Sequence, residues 1–269
     1  MGKYMTNRKT ALVTGASDGI GAEFSDILAG LDYNVILVAR REDKLNELSD
    51  KLNNLYDVDC TVIPADLSEP QAAQKLFDLT QDKNLEVDLL INNAGLLHNG
   101  YFTDLDLAEQ ERMIAVNVLA LTSITHLFAN IMATRGKGCI LNISSLAAWM
   151  AIPNQNVYAA SKAYVLSFTQ ALADEMLANS SGVSVTALCP GYTATKMMDN
   201  PAQGAKLRIP PTMMMSAREV AEAGIKGCLS GKSIVVPGVA NKITAAVVRL
   251  FSKRLLTKLV GSFYRSKMQ

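Results

Sequence analysis

The chain reads as an α/β protein: one doubly wound domain on a parallel sheet of seven strands, with a helical extension at its C-terminal end. Three observations predict this. Short apolar runs alternate with longer segments of helical periodicity from Thr10 to about Pro237, the order that yields a parallel sheet with helices on both faces. The first apolar run leads directly into glycines and then into a helix-like segment. At 269 residues there is room for two small domains, yet no Pro/Gly/Ser-rich linker, block of like charge, internal repeat or low-complexity segment divides the chain.

Thr10-Ala11-Leu12-Val13-Thr14 is the first strand, apolar as a strand covered on both faces must be. The turn Thr14-Gly15-Ala16-Ser17-Asp18-Gly19-Ile20-Gly21 follows, and Ile20 to Leu31 continues as a helix. Strand, glycine turn and helix make a nucleotide-binding arrangement. Glycines let the backbone approach a pyrophosphate, and the helix N-terminus offers it unpaired N–H groups. Without the flanking strand and helix, the same glycine spacing would be compatible with a plain tight turn.

The second strand, Tyr33 to Val38, ends at Ala39-Arg40-Arg41. An acidic residue at this end would bind the ribose hydroxyls and repel a 2′-phosphate, whereas arginine accommodates that phosphate. Ala39 followed by Arg40 therefore favours NADP(H) over NAD(H); the competing reading of Arg40 and Arg41 is a solvated turn. Glu42 to Asn54 is an exposed helix and Cys60 to Pro64 the third strand. Asp66, in the turn after it, is placed to cap the segment Ser68-Glu69-Pro70. Val87 to Ile91 is the fourth strand and delivers Asn92-Asn93-Ala94-Gly95 at its carboxyl end. Helical sequence runs from Leu107 to Arg135 and contains Asn117 among Ile114, Val116, Val118 and Leu119; a buried amide of this kind implies a local hydrogen bond.

The fifth strand, Gly138 to Ile143, ends at Ser144-Ser145, and a long helix then carries Tyr158-Ala159-Ala160-Ser161-Lys162. Tyr158 and Lys162 stand four apart and project from one helix face. A free tyrosine is mostly a phenol at neutral pH, but a cation one helical turn away stabilises the phenolate and lowers its pKa, which makes an acid/base. Such pairs also occur on ordinary surface helices; the upstream serine and the nucleotide turn give this one its meaning. Val183 to Leu188 is the sixth strand and Ile234-Val235-Val236 the seventh.

Together Thr14 to Gly21, Asn92 to Gly95, Asn117, Ser145, Tyr158, Lys162 and Pro190-Gly191 resemble, in order and spacing, the short-chain dehydrogenases/reductases, and the resemblance covers Thr10 to about Pro237. It implies a Rossmann-type fold and a carbonyl reductase, or equally an alcohol dehydrogenase, in which Ser145 polarises the carbonyl oxygen, Tyr158 donates the proton, Lys162 holds the nicotinamide ribose and Asn117 helps position a water beside the lysine. Family spacing selects Ser145 over Ser144. The resemblance further implies cofactor contacts at Gly15, Ser17, Gly19, Ile20 and Gly21, at Arg40 and Arg41, at Asp66 toward the adenine amino group, and at Asn93, Ala94 and Gly95. Tyr158 and Lys162 also touch the cofactor in this scheme, as do Pro190, Gly191, Thr193 and Thr195 in a loop on the nicotinamide side. Asp18 departs from the pattern, since some NADP-using relatives carry a basic residue there. The competing class is a non-catalytic NADP(H)-binding regulator or scaffold.

Nearly half of the residues are hydrophobic and the formal net charge is +1, so nothing points to nucleic acid as a partner. The four cysteines, Cys60, Cys139, Cys189 and Cys228, are widely spaced and read as reduced. With His98 and His126 in different elements, no Cys/His cluster suggests a metal. Met1-Gly2-Lys3-Tyr4 lacks a secretory signal's apolar run, and no stretch is expected to reach the length of a membrane span. A cytoplasmic enzyme is the expectation. The family implies a homodimer or homotetramer, pairing through the helices around 107–135 and 158–179.

The segment of about 192–216 occupies the family's variable substrate lid. It carries Met197, Met198, Met213, Met214 and Met215 among Pro201, Pro210 and Pro211. Methionines there suit a lipid-like or bulky substrate, or merely fill core. In the extension of about 240–269, Val248, Phe251, Leu255, Leu259 and Phe263 fall on one helical face with Arg249, Lys253, Arg254 and Lys258 on the flanks and opposite side. The tail Pro237-Gly238-Val239-Ala240-Asn241-Lys242 is similar to that of relatives acting on steroids and very-long-chain ketoacyl substrates. The apolar stripe is expected to pack on the body or a second subunit, with peripheral membrane contact as the alternative.

Overall fold

A computed structural model describes residues 8–195 and 209–267. In chain order its elements are β1 (Thr10–Thr14), α1 (Gly19–Gly30), β2 (Asn34–Ala39), α2 (Glu42–Tyr56), β3 (Cys60–Pro64), α3 (Ala72–Asp82), β4 (Leu89–Asn92), α4 (Leu107–Ile114), α5 (Leu121–Arg135), β5 (Gly138–Ile143), α6 (Asn156–Ala178) and β6 (Val183–Leu188). They continue as β7 (Thr193–Ala194), β8 (Met215–Ser216), α7 (Ala217–Leu229), β9 (Ile234–Val235), α8 (Val239–Val248) and α9 (Lys253–Lys267). Met197, Met198 and Pro201 of the expected lid lie outside the described residues.

Seven strands form one sheet in the order β3-β2-β1-β4-β5-β6-β9, and every pairing in it is parallel. Parallel strands need covered faces, and the side-chain alternation of β1 supplies both. Ala11 and Val13 enter the core under α1 and α7, while Leu12 enters the opposite core with Phe128 and Met132 of α5. The winding reverses between β1 and β4, each hydrogen-bonded to the other. A crevice therefore opens at their carboxyl ends, where ligands of such sheets bind. This is the Rossmann-type single domain that the sequence predicts.

On one side α1 and α7 pack closely because Gly224 has no side chain; a Cβ there would lie 2.8 Å from Leu188 and 3.2 Å from Phe24. Arg218 of α7 donates to Asp26 of α1 at 2.8 Å, and Lys51 of α2 reaches the same carboxylate at 3.2 Å. Burial pushes the Asp26 carboxyl up, but these cationic donors outweigh it and hold the group below its ordinary value.

The helical run 107–135 departs from expectation twice. It is not one uniform helix: α4 passes into α5 through a π-helical segment, Ala115–Ala120. It is also long and apolar enough to cross a membrane, contrary to the expectation that no stretch reaches that length. Ile124, Phe128, Ala129 and Met132 of this run are buried in the protein's own core.

In the extension, the expected stripe does not pack on the body. Val248 is buried, but Phe251, Leu255, Leu259 and Phe263 of the expected packing stripe are exposed. The face of α9 that meets the body carries Leu256, Val260 and Tyr264 instead. Arg249 stacks on Trp149, its guanidinium 4.5 Å from the ring centroid, and so fixes the end of α8 to the body.

Candidate active site

The turn after β1 is shaped by glycine. Gly15 and Gly19 have φ of +68° and +55°, the left-handed region that side chains disfavour. A Cβ on Gly21 would sit 2.1 Å from the Gly15 carbonyl oxygen, so no larger residue fits where α1 meets the turn. Asp18 caps α1, accepting from the Gly19 N–H at 2.8 Å.

Between this turn and the ends of β2 to β4 lies a cleft of about 680 Å³. Gly15, Ser17, Gly19, Ile20, Arg40, Arg41, Asp66, Asn93, Ala94, Gly95 and Thr195, all expected at the cofactor, line it. Gly21, Tyr158, Lys162, Pro190, Gly191 and Thr193, also expected at the cofactor, are not on its wall. Ala39 also borders the cleft, so the end of β2 presents no carboxylate of its own. Backbone bared by glycine, a helix N-terminus and two arginines at one rim fit a dinucleotide with its phosphates.

The rim differs in detail from the sequence reading. Arg41 donates to the Ser17 hydroxyl at 3.1 Å and lies 3.4 Å from Asp18. Arg40 lies 3.8 Å from Asp66. Asp66 accepts from the Ser68 backbone at 3.0 Å and from Arg112 at 2.7 Å; it holds the turn after β3 and caps no helix, since α3 starts only at Ala72 with Gln71 before it. Burial raises the Asp66 carboxyl, but bonds from Ser68 and then Arg112 overcome this and leave it lowered. Arg112 itself lines the cleft and was missed: on α4 it is one surface cation among others, and only the fold brings it to Asp66.

The floor is a hydrogen-bonded frame. The Thr14 hydroxyl accepts from the N–H groups of Asn93 and Ala94, each at 3.0 Å, and the Asn93 amide donates to Thr14 and Gly15 carbonyls at 2.9 and 3.3 Å. Asn92 bridges to Asn142 of β5 at 2.9 Å. These bonds lock the ends of β1, β4 and β5 together.

Ser145 follows β5; its hydroxyl donates to the Pro190 carbonyl at 3.5 Å and acts on the phenol of Tyr158 on α6, favouring its ionised form. It also accepts from the Ala147 N–H at 3.1 Å, which starts a short 3₁₀ turn. Ser144 faces the other way, donating to the Lys162 carbonyl at 2.8 Å; it ties β5 to α6. Lys162 is buried, donates to the Ile143 carbonyl at 2.9 Å, and has its Nζ 5.8 Å from the Tyr158 ring centroid. Burial drives its pKa down to about 8. Tyr158 moves opposite to the sequence expectation: burial raises its pKa, the Ser145 hydroxyl opposes this only in part, and Lys162 is not among the causes. The ammonium donates to a main-chain carbonyl and is itself partly neutralised, so it does little for a phenolate in this arrangement.

Asn117 sits in the π-helical segment. Its amide accepts from Leu96 N–H at 2.8 Å and donates to Leu96 C=O at 2.9 Å and to the Ser161 hydroxyl at 3.1 Å. The same pocket holds the Lys162 amine: a Cβ on Gly95 would stand 3.4 Å from Asn117 Oδ1 and 3.5 Å from Lys162 Nζ. Asn117 and Lys162 thus share one small space with room bounded by a glycine.

Tyr158 packs against an apolar cluster of Ala147, Met150, Ile152, Tyr192, Ile209, Met214, Val260 and Tyr264. Tyr192 and Tyr264 join hydroxyls at 2.9 Å, and burial raises both phenols. Met214 packs on this cluster and Met215 on the main core, so both fill core. The contribution of α9 to this cluster was missed, since Tyr264 is far from the motifs in sequence. The tail motif also serves the site: Asn241 lies against Gly191, where a Cβ would approach its Oδ1 to 2.5 Å.

A model of the short chain dehydrogenase family matches residues 9–206. The chain is 34% identical over 220 residues to a very-long-chain 3-oxoacyl-CoA reductase of Rattus norvegicus, covering 80% of this chain and 67% of that one. To a 7beta-hydroxysteroid dehydrogenase of Mediterraneibacter gnavus it is 32% identical over 255 residues, covering 94% and 95%. A solved short-chain dehydrogenase from Sphingobium yanoikuyae in complex with NADPH superimposes with a TM-score of 0.78 at 29% identity, covering 90% of this chain and 93% of the other.

Proposed function

The chain belongs to the short-chain dehydrogenase family, and on that premise we propose that it is an NADP(H)-dependent oxidoreductase reducing an apolar, lipid-like ketone or oxidising the matching alcohol. One observation carries the reading: Ser145 at the end of β5 acts on the phenol of Tyr158 on α6, and Tyr158 packs against an apolar cluster that includes Ala147, Ile152, Ile209 and Tyr264. The names of the relatives, a 3-oxoacyl-CoA reductase and a hydroxysteroid dehydrogenase, agree with a carbonyl or alcohol on a large apolar substrate.

A nicotinamide dinucleotide bound in the cleft supplies hydride for reduction, or accepts it in the reverse direction. The glycine turn and the start of α1 offer main-chain N–H groups to its phosphates. Lys162 would hold the ribose near the nicotinamide, and Gly95 leaves the room for it. In reduction, Ser145 donates a hydrogen bond to the carbonyl oxygen and Tyr158 gives it a proton. A phenol kept protonated by burial is poised for that transfer. Asn117 holds the backbone at Leu96 and, through the space it shares with Lys162, orders the groups that return a proton to Tyr158.

For NADP(H) the support is the rim: Ala39 in place of a carboxylate, with Arg40 and Arg41 beside it. Arg40→Ala should weaken NADPH much more than NADH, read by titration of each dinucleotide; equal losses would remove Arg40 from recognition of the 2′-phosphate. A panel of lipophilic ketones and 3-ketoacyl thioesters with NADPH, followed by absorbance, tests the substrate class, and turnover confined to small hydrophilic carbonyls would refute it. We also propose a homo-oligomer paired through the α4, α5 and α6 surface, where Leu107, Leu119 and Tyr164 are exposed; sedimentation of a Leu119→Glu variant as a smaller species than the wild type would support it.

A further inference from the structure

We propose that α8 and α9 form a docking face for an anionic lipid surface. In α9 three rows lie side by side. Leu256 and Tyr264, 9% and 5% exposed, face the body. One position earlier, about 100° round the helix, Leu255, Leu259 and Phe263 remain 45%, 60% and 37% exposed. One position earlier again stand Arg254 and Lys258, both exposed. α8 repeats the pattern, with Val239, Ile243 and Val247 exposed at the same four-residue spacing and Lys242 preceding Ile243. Exposed Leu250 and Phe251 join the two rows.

The apolar band is therefore continuous with a packed face on one side and edged by cations on the other. Charge decides what covers it. Segment 239–267 carries seven Lys and Arg residues and no Asp or Glu, the last acidic residue of the chain being Glu222. Among the described residues, Lys242, Arg254 and Lys258 make no ion pair. A second copy of this face, applied symmetrically, would set cations against cations. Anionic headgroups complement them, while the apolar row enters the acyl boundary, the arrangement of an interfacial helix. The packed row ends at Tyr264, which bonds Tyr192, so the docked face adjoins the apolar cluster against which Tyr158 packs. The docking stands whether or not the redox reading does.

The test is co-sedimentation of the full chain with vesicles of phosphatidylcholine alone or mixed with phosphatidylglycerol, at low and high salt and without dinucleotide or substrate. The wild type should bind only the mixed vesicles and release with salt. Leu255→Ser with Leu259→Ser, and separately Arg254→Glu with Lys258→Glu, should each lower the partition coefficient about tenfold or more. All these positions are exposed, and thermal unfolding checks that the fold is kept. Absent binding by the wild type, or binding that both variants retain, overturns the proposal. So does a wild type that ignores vesicles but forms a dimer that the Leu255→Ser, Leu259→Ser variant loses, which would assign the face to a second copy.

Discussion

At the scale of single residues, the site is governed by burial more than by paired charge. Tyr158 and Lys162 were identifiable from their four-residue spacing, but spacing says nothing about what each atom faces. Lys162 directs its ammonium to the Ile143 carbonyl, and the pKa of each group moves toward its neutral form. This gives Lys162 a signature in stability. Its folded pKa of about 8 lies below the ordinary 10.5, so between these values the unfolded chain binds more protons and the folded state gains stability as pH rises. Below about pH 8 the group is charged in both states and its cost is constant. Relative to Lys162→Met, the wild type should gain about 2 kcal/mol between about pH 7 and about pH 9.5 in denaturant unfolding. A difference independent of pH would show that the amine is not held neutral by the fold.

At the scale of elements, the strands were legible and the irregular helices were not. β1, β3, β5 and β6 keep the bounds that their apolar runs predict, because a strand covered on both faces needs an unbroken run. The π-helical segment has no such mark, since its extra residue per turn answers to the placement of Asn117 against Leu96 and Ser161. The extension misleads for a related reason: α9 is apolar over two adjacent rows, and periodicity alone does not say which one the body takes. Tyr264 settles it by reaching Tyr192. Tyr264→Phe or Tyr192→Phe should each cost about 1–3 kcal/mol, because a buried hydroxyl loses its partner. The double variant should recover most of that loss, as replacing both partners leaves no hydroxyl unpaired. Additive costs in a double-mutant cycle would mean that the two hydroxyls are not coupled.

At the scale of the whole molecule, sequence and structure agree where the chain must satisfy the sheet and the glycine turn, and diverge where distant segments meet. The cleft joins positions from Gly15 to Thr195; their order in the chain was readable, but Arg112 entered only when the fold placed it on Asp66. The apolar cluster likewise joins Ala147 to Tyr264, across a distance that no local motif spans. Two parts follow from this arrangement, a polar cleft and an apolar cluster against which Tyr158 packs. The most direct test of that account is NADPH consumption with lipophilic ketones by the wild type and by Tyr158→Phe, alongside NADPH binding to each. The account predicts turnover by the wild type, unchanged NADPH affinity in the variant, and turnover lowered about 10²–10⁴-fold. Near-wild-type turnover by Tyr158→Phe would contradict it.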